Sequence, residues 1–241
     1  MNIKVFDRIE KKYLITKKQK QHILAVIKKH MQKDEYFESQ VFNTYLDTDN
    51  FDLIIQSIEQ PIFKEKVRAR SYGGYDNVYI ELKTKLCGKE NNVGYKRRIC
   101  ISKRDYGKFL KGDLTLVDAV SKKAKSSRDI QIAKELDYLV AHFNLKPQIL
   151  VFYERQSYQG EQNLRITFDE HLKYRTKNIN FNTDKLDKEY FKDDKNIILE
   201  IKAHGYLPLW LVQALSQEKI FPQQFSKVGK IYQTIRKETN V

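Results

Sequence analysis

In this 241-residue chain, basic residues recur at every second position of several short stretches, and Glu-x-Lys recurs at 10–12, 81–83 and 200–202. KVRARSY (66–72) puts Lys66, Arg68 and Arg70 on one side of an extended segment. YIELKTK offers Glu81, Lys83 and Lys85, YKRRI offers Lys96 and Arg98, and YERQSY offers Tyr153 and Arg155. LRITFD adds Arg165 and Asp169, ILEIK adds Glu200 and Lys202, and RIEKKY adds Glu10 and Lys12. Arginine's planar fork suits bidentate contact with phosphate oxygens, and lysine acts as a point charge. Carboxylates among such cations need a divalent ion to sit beside a phosphate chain, and glutamate oxygens with water suit magnesium or manganese. The cations outnumber these carboxylates, and packed together they repel unless something anionic joins them.

The elements that must position these residues are mostly strands. Period-two alternation predicts them at 5–15, 40–48, 62–72, 77–86, 94–102, 148–158, 163–170 and 196–203. Val78, Ile80 and Leu82 oppose Tyr79, Glu81 and Lys83; Leu164, Ile166 and Phe168 oppose Arg165, Thr167 and Asp169; Ile197, Leu199 and Ile201 oppose Glu200 and Lys202. For one strand, a solvated face explains the alternation. Taken together, the Arg-rich polar positions converge on one place, and the strand set suits a mainly antiparallel sheet or a barrel; if it closes with its apolar face outward beneath the amphipathic helices, the charged side chains line a central cavity. Lys66, near its strand's start, is left to solvent. Thr16 is placed to cap a helix whose Ile23, Val26, Ile27 and Met31 share one face. A second helix is expected over 128–143, with Ile132, Leu136, Leu139, Val140 and Phe143 in register, and a third near Pro208.

Composition narrows the partners. The formal charge of +14 favours polyanions. Cys87 and Cys100 lie in no metal-ligand spacing and are expected to be reduced. No stretch is long and apolar enough for a membrane span, and the N-terminus lacks a signal peptide's apolar run, so the expected address is the cytoplasm, with the inner face of the membrane as an extension. His22, His30, His142, His171 and His204 are scattered and form no catalytic constellation; a P-loop is absent, and Gly73-Gly74 reads as a hairpin turn. Trp210 reads as helix packing. The lysines at 17, 18, 20, 28, 29 and 33 read as a solvated helix face or, alternatively, as an attractor of polyphosphate or an anionic membrane. Nucleic acid is disfavoured because few aromatics alternate with the basic positions.

In order along the chain, RIEKKYLI, YLDT, KVRARSY, YIELKTK, YKRRI, YERQSY, LRITFD, ILEIK and FSKVGKIY resemble the motif series of the VTC-type polyphosphate polymerase domain, a branch of the triphosphate tunnel (CYTH-like) superfamily. The resemblance spans residues 3–236 and implies an α+β fold, an eight-stranded antiparallel closed β-barrel (tunnel) with a polar, cationic interior and amphipathic helices packed outside, as one domain over 1–241. It implies ATP and inorganic polyphosphate as substrates, transfer of the terminal phosphoryl group of ATP onto the chain, and Mn2+ or Mg2+ as cofactor. By matching motif, Lys12, Arg68, Arg70, Lys83, Lys96, Arg155 and Arg165 would hold phosphates, with Tyr153 assisting. Arg98, Lys85 and Lys202 would line the path, and Ser226 and Lys227 would close on it from the start of the last helix. Glu200 would be the principal metal ligand; Glu10, Glu81 and Asp169 would serve metal, water or the orientation of neighbouring cations. The hydrolytic branch opens with ExExK, whereas here Arg8 stands where the first glutamate would be, as in the polymerase branch. A stand-alone catalytic unit is expected, and a membrane-protein partner is left open. Two rivals remain: a tunnel-fold triphosphatase, and a non-catalytic polyanion or RNA binder.

Overall fold

The computed structural model describes residues 8–59, 62–87, 92–122, 126–183, 187–191 and 196–239. The start of the first expected strand, residues 5–7, lies outside them. The strands are β1 (Arg8–Ile15), β2 (Gln32–Asp47), β3 (Phe63–Tyr72), β4 (Asn77–Cys87), β5 (Asn92–Ser102), β6 (Lys146–Gln159), β7 (Arg165–Arg175), the two-residue β8 (Lys188–Glu189) and β9 (Ile197–His204). The helices are α1 (Lys17–Ile27), α2 (Asp52–Glu59), α3 (Lys103–Lys111), α4 (Leu116–Ser121), α5 (Ser127–His142), α6 (Leu209–Gln217) and α7 (Lys227–Thr239). The fold is α+β with a large antiparallel sheet, and its pairing order is β1-β9-β7-β6-β2-β3-β4-β5.

That order corrects the sequence reading in one respect. Among the described residues β1 and β5 are the two ends of an open path, so the strands form no closed barrel. Alternation reports which face of a strand is covered, and a twisted open sheet covers its faces as well as a barrel does. The second strand is also longer than expected: β2 begins at Gln32 rather than at 40, through a stretch whose side chains are largely exposed and carry no apolar alternation.

The contacts divide the chain into two compact units. The first comprises Met1–Gln40, Tyr153–Lys173 and Glu189–Ser226. Its core buries Tyr13, Ile15, Phe168, Leu199 and Ile201 from the strands against Ile23 and Ile27 of α1 and Leu211, Ala214 and Leu215 of α6. Thr16 caps α1 as expected, in a reciprocal capping box with Gln19. The second comprises Val41–Phe152, Tyr174–Lys188 and Lys227–Val241. There Val78, Ile80, Leu82, Ile99 and Ile101 pack against Tyr106 of α3, Leu116, Ala119 and Val120 of α4, and Ile132, Ala133 and Leu136 of α5. Of these, Val78, Ile80, Leu82, Ile99 and Ile101 are strand positions that alternation assigns to the apolar face.

Candidate functional site

In the first unit, the antiparallel register pairs Glu10 with Lys202 and Lys12 with Glu200 across β1 and β9. The next strand sets Arg165 against Lys202 and Thr167 against Glu200. Side chains two residues apart share a face, so β1 and β9 make a chequerboard of opposite charge, and β7 sets a second cation, Arg165, beside Lys202. Lys202 Nζ lies 2.6 Å from Glu200 Oε1 and 3.8 Å from Glu10 Oε2, and Lys12 Nζ lies 3.6 Å from Glu10 Oε1. Both carboxylates therefore hold the same ammonium.

Arg155 of β6 closes the next row. Its Nε and Nη2 donate to the two oxygens of Asp169 at 2.6 and 2.8 Å, and its guanidinium lies over the Tyr153 ring at 5.2 Å. Burial works against the Arg155 charge, but the fields of Asp169, Tyr153 and Glu200 outweigh it and raise the pKa above arginine's ordinary value. Arg165 donates from Nε to Ser157 Oγ at 3.0 Å and sits 2.8 Å from Asp34 Oδ2, while Ser157 Oγ donates to the same Asp34 oxygen at 2.9 Å. Asp34 and Ser157 were not read from the sequence. Ser157 shares the parity of Tyr153 and Arg155 within YERQSY, which is the signal that could have found it; Asp34 lies on the unread extension of β2.

The C-terminal strap is tied to the same strand. The Gln223 N–H donates to the Lys12 carbonyl at 2.7 Å, and Lys12 Nζ donates to the Phe225 carbonyl at 3.2 Å. Half-buried Ser226 ends the first unit, and Lys227 opens α7 in the second.

The second unit presents a different face. Register aligns Lys66, Lys83 and Lys96 in one row, Arg68, Glu81 and Arg98 in the next, and Arg70, Tyr79 and Cys100 in a third. With Lys64 and Lys85, the face carries eight cations and, among the described residues, Glu81 as its single carboxylate. Glu81 is fully buried: Arg68 reaches Oε2 from Nη2 at 2.5 Å and from Nε at 2.7 Å, and Lys96 Nζ meets Oε1 at 2.5 Å. Burial pushes the Glu81 carboxyl up, but Arg68, Arg70 and Lys96 together outweigh it and hold its pKa at about 2. For Lys96, burial lowers the pKa and Glu81 opposes the fall. Arg70 donates from Nε to Oδ1 of buried Asn43 at 2.8 Å, and Arg98 stacks over Tyr79 at 4.9 Å. Asn43 is another residue that the sequence reading left out; it stands directly across from Arg70 on β2.

YLDT acquires a local explanation. Buried Asp47 accepts from the backbone N–H groups of Thr48, Leu53 and Ile54, capping α2, while Tyr45 pairs in register with Arg68.

Of the sequence-predicted residues, the structure brings Lys12, Glu10, Glu200, Lys202, Arg155, Tyr153, Asp169 and Arg165 onto one strand face of the first unit. It brings Arg68, Arg70, Glu81, Lys83, Lys85, Lys96 and Arg98 onto one face of the second. Ser226 and Lys227 are in neither array. Among the described residues no three of His, Cys, Asp and Glu converge as a metal cage. Glu81 and Asp169 are taken up by cations, and the carboxylates with a common focus are Glu10 and Glu200.

A large antiparallel sheet with flanking helices and two arrays of strand charges defines an α+β protein. The VTC domain family model matches residues 7–235, and the chain belongs to that family. It is 30% identical over 147 residues to vacuolar transporter chaperone complex subunit 4 of Schizosaccharomyces pombe, covering 56% of this chain and 20% of the relative. The protein of the same description from Trypanosoma brucei brucei is 24% identical over 204 residues, covering 70% of this chain and 26% of the relative. The chain thus spans about a fifth to a quarter of the length of these relatives. In fold it is similar to a Hippeastrum protein described as a candidate adenylyl cyclase with a dominant triphosphatase activity: TM-score 0.52, 13% identity, covering 92% of this chain and 93% of that one.

Proposed function

We propose that this chain is a metal-dependent polyphosphate polymerase that transfers the terminal phosphoryl group of ATP onto inorganic polyphosphate held along basic strand faces. The observation that carries the reading is the cation surplus on the β3–β5 face. Lys64 to Arg70 alone span roughly 20 Å of strand, a track suited to a linear polyanion more than to one triphosphate. Membership of the VTC family supports the same reading.

In this reading Lys12, Arg68, Arg70, Lys83, Lys96, Arg155 and Arg165 hold donor and acceptor phosphates, and Tyr153, Arg98, Lys85, Lys202, Ser226 and Lys227 guide the chain. An ionised terminal oxygen of polyphosphate attacks the γ-phosphorus of ATP. The bond from that phosphorus to the β–γ bridging oxygen breaks, ADP leaves, and the chain is one phosphate longer. The attacking oxygen carries no proton, so no general base is needed; positioning and charge neutralisation do the catalysis. The oxygen donors of Glu200 and Glu10, which already hold one cationic group between them, fit Mg2+ or Mn2+. When bound, such an ion supplies Lewis-acid neutralisation of phosphate oxygens. The two relatives are named as subunits of a complex, which favours assembly with further proteins; a membrane-protein partner and a place at the inner face of a membrane belong to the same proposal.

The test is incubation with ATP and Mn2+ followed by separation of long-chain polyphosphate from free phosphate. Polymer is the expected product. Free phosphate alone would establish a triphosphatase, and binding without turnover would establish a polyanion binder.

A further inference from the structure

A separate surface lies in the first unit, on the pair α1 and α6. These helices run side by side in opposite directions. Gln19 and His22 of α1 meet the C-terminal end of α6 at Glu218, through a 3.0 Å hydrogen bond to its carbonyl and a 2.9 Å contact to its carboxylate, while His30, just past α1, stacks on Trp210 at the start of α6 with ring centroids 4.4 Å apart. Helix α6, LWLVQALSQ, contains no charged residue, and α1, KKQKQHILAVI, contains no acidic one.

The inner faces explain only half of these sequences. Leu211, Ala214 and Leu215 are spent on the core, yet Leu209 is 71% and Val212 41% exposed, one helical turn apart, and Tyr206 just ahead of the helix is 67% exposed. Half-buried Trp210 sits among them. Exposed Lys28 and Lys29 lie at the α1 end that carries His30, beside this apolar corner, and exposed Lys18 lies at the opposite end. An apolar row with Trp and Tyr, bordered by lysines and bearing no acid on either helix, has the composition of a face that lies in the headgroup boundary of a bilayer. No described helix is long and apolar enough to cross a membrane, so the surface would lie on one rather than span it.

We propose that the α1–α6 face docks onto an anionic lipid bilayer, with Leu209 and Val212 entering the interface, Tyr206 and Trp210 at headgroup depth, and Lys28 and Lys29 against anionic headgroups. The lysines bring the chain to the surface and the apolar row holds it there. This assignment does not depend on the polymerase reading, because none of these residues belongs to either phosphate-facing array.

Vesicle co-sedimentation of the full chain tests it, using phosphatidylcholine alone and phosphatidylcholine with phosphatidylserine. Binding is expected only to the anionic vesicles. Leu209→Ser with Val212→Ser keeps the net charge and removes no core contact; it should weaken partitioning by about tenfold or more while leaving the melting temperature and affinity for inorganic polyphosphate unchanged. Lys28→Gln with Lys29→Gln should weaken it by roughly tenfold to thirtyfold at low salt. If the serine variant binds anionic vesicles as well as the wild type, or soluble polyphosphate strips both equally from the vesicles, attachment runs through the phosphate-binding cations and the proposal fails. It fails equally if the wild-type chain ignores anionic vesicles at low salt, which would leave this face to a protein partner.

Discussion

The two units solve the problem of crowded charge in opposite ways. In the first, Lys12, Arg155, Arg165 and Lys202 meet Glu10, Asp34, Asp169 and Glu200, so the array is close to neutral by itself and its guanidiniums are fixed by two-point contacts. In the second, eight cations surround buried Glu81. Each contains an arginine resting on a tyrosine ring two residues away or across a strand, Arg155 on Tyr153 and Arg98 on Tyr79, so the difference lies in counter-charge and not in the cations' scaffolding. A neutral array is ordered before any ligand arrives; an array in excess lowers its energy when a polyanion binds. In the proposed reading, the first unit would fix the reacting groups and the second would draw in and hold polyphosphate.

Glu200→Gln gives the sharpest contrast. It removes half of the carboxylate pair that converges on one cation, and turnover of ATP into polymer should fall on the order of 10³-fold. Thermal stability should hardly change, because the partly exposed Lys202 retains Glu10 and water. A variant with the wild-type rate would remove the first unit's claim to the chemistry.

Glu81→Gln asks the opposite question. Removing the carboxylate leaves buried Arg68 without its ionic partner, with the partly exposed Lys96 beside it, a loss of about 3–5 kcal/mol of stability. Urea unfolding should show it, and inorganic tripolyphosphate should restore much of the loss by binding the folded state. If tripolyphosphate fails to restore stability, the idea that the substrate supplies the missing charge is wrong.

The same residue sets an acid limb. Its folded pKa of about 2 lies below the ordinary 4.5, so ionised Glu81 contributes stability that is fully present above pH 4.5 and lost as pH falls from there through about 2. The contribution is on the order of 3 kcal/mol. The acid-unfolding curve of Glu81→Gln should be correspondingly flatter in that window; an unchanged slope would show that the carboxylate is not held by Arg68, Arg70 and Lys96.

Much of this contrast was legible in the residues. The alternation of VYIELKTK and IILEIKA places Ile80, Leu82, Leu199 and Ile201 in the cores, and Glu81, Lys83, Glu200 and Lys202 on the opposite faces, because a strand's period of two leaves no other choice. Sheet closure was not legible, since no side chain of β1 or β5 encodes whether their free edges meet. Three helices were missed: α2, whose cap is the distant-looking Asp47, and the short α3 and α4, although Ser102 with Asp105 and Thr115 with Asp118 carry N-cap spacing. The partition of charge between units was also hidden. Strand order, not spacing within a motif, decides that Asp34 joins Arg165 and that, among the described residues, no second carboxylate joins Glu81 on its face.

Asp34→Asn examines that long-range partner. The substitution keeps shape but weakens the charge that Arg165 and Ser157 share, at a cost of about 1–2 kcal/mol. Since Asp34 acts through Arg165, KM for polyphosphate should rise severalfold with kcat nearly unchanged, and Asp34→Glu should recover part of the loss. A fall in kcat at constant KM would give Asp34 a direct role in the chemistry instead.

Lys85→Gln should have the smallest effect, and for a reason that separates the two units again. Lys85 is exposed and sits in register with Lys64 on one side and Gly94 on the other, so no single geometry holds it. An exposed charge of this kind is worth below about 1 kcal/mol, and KM for polyphosphate should rise by less than about fivefold, an effect that vanishes at high salt as screening takes over. Short acceptors should feel it less than long ones, because a chain must extend along β3–β5 to reach that end of the strands. Equal effects on tripolyphosphate and long polymer would mean that the cation ladder acts only as a diffuse field, and the difference between an array that fixes and an array that holds a chain would reduce to net charge.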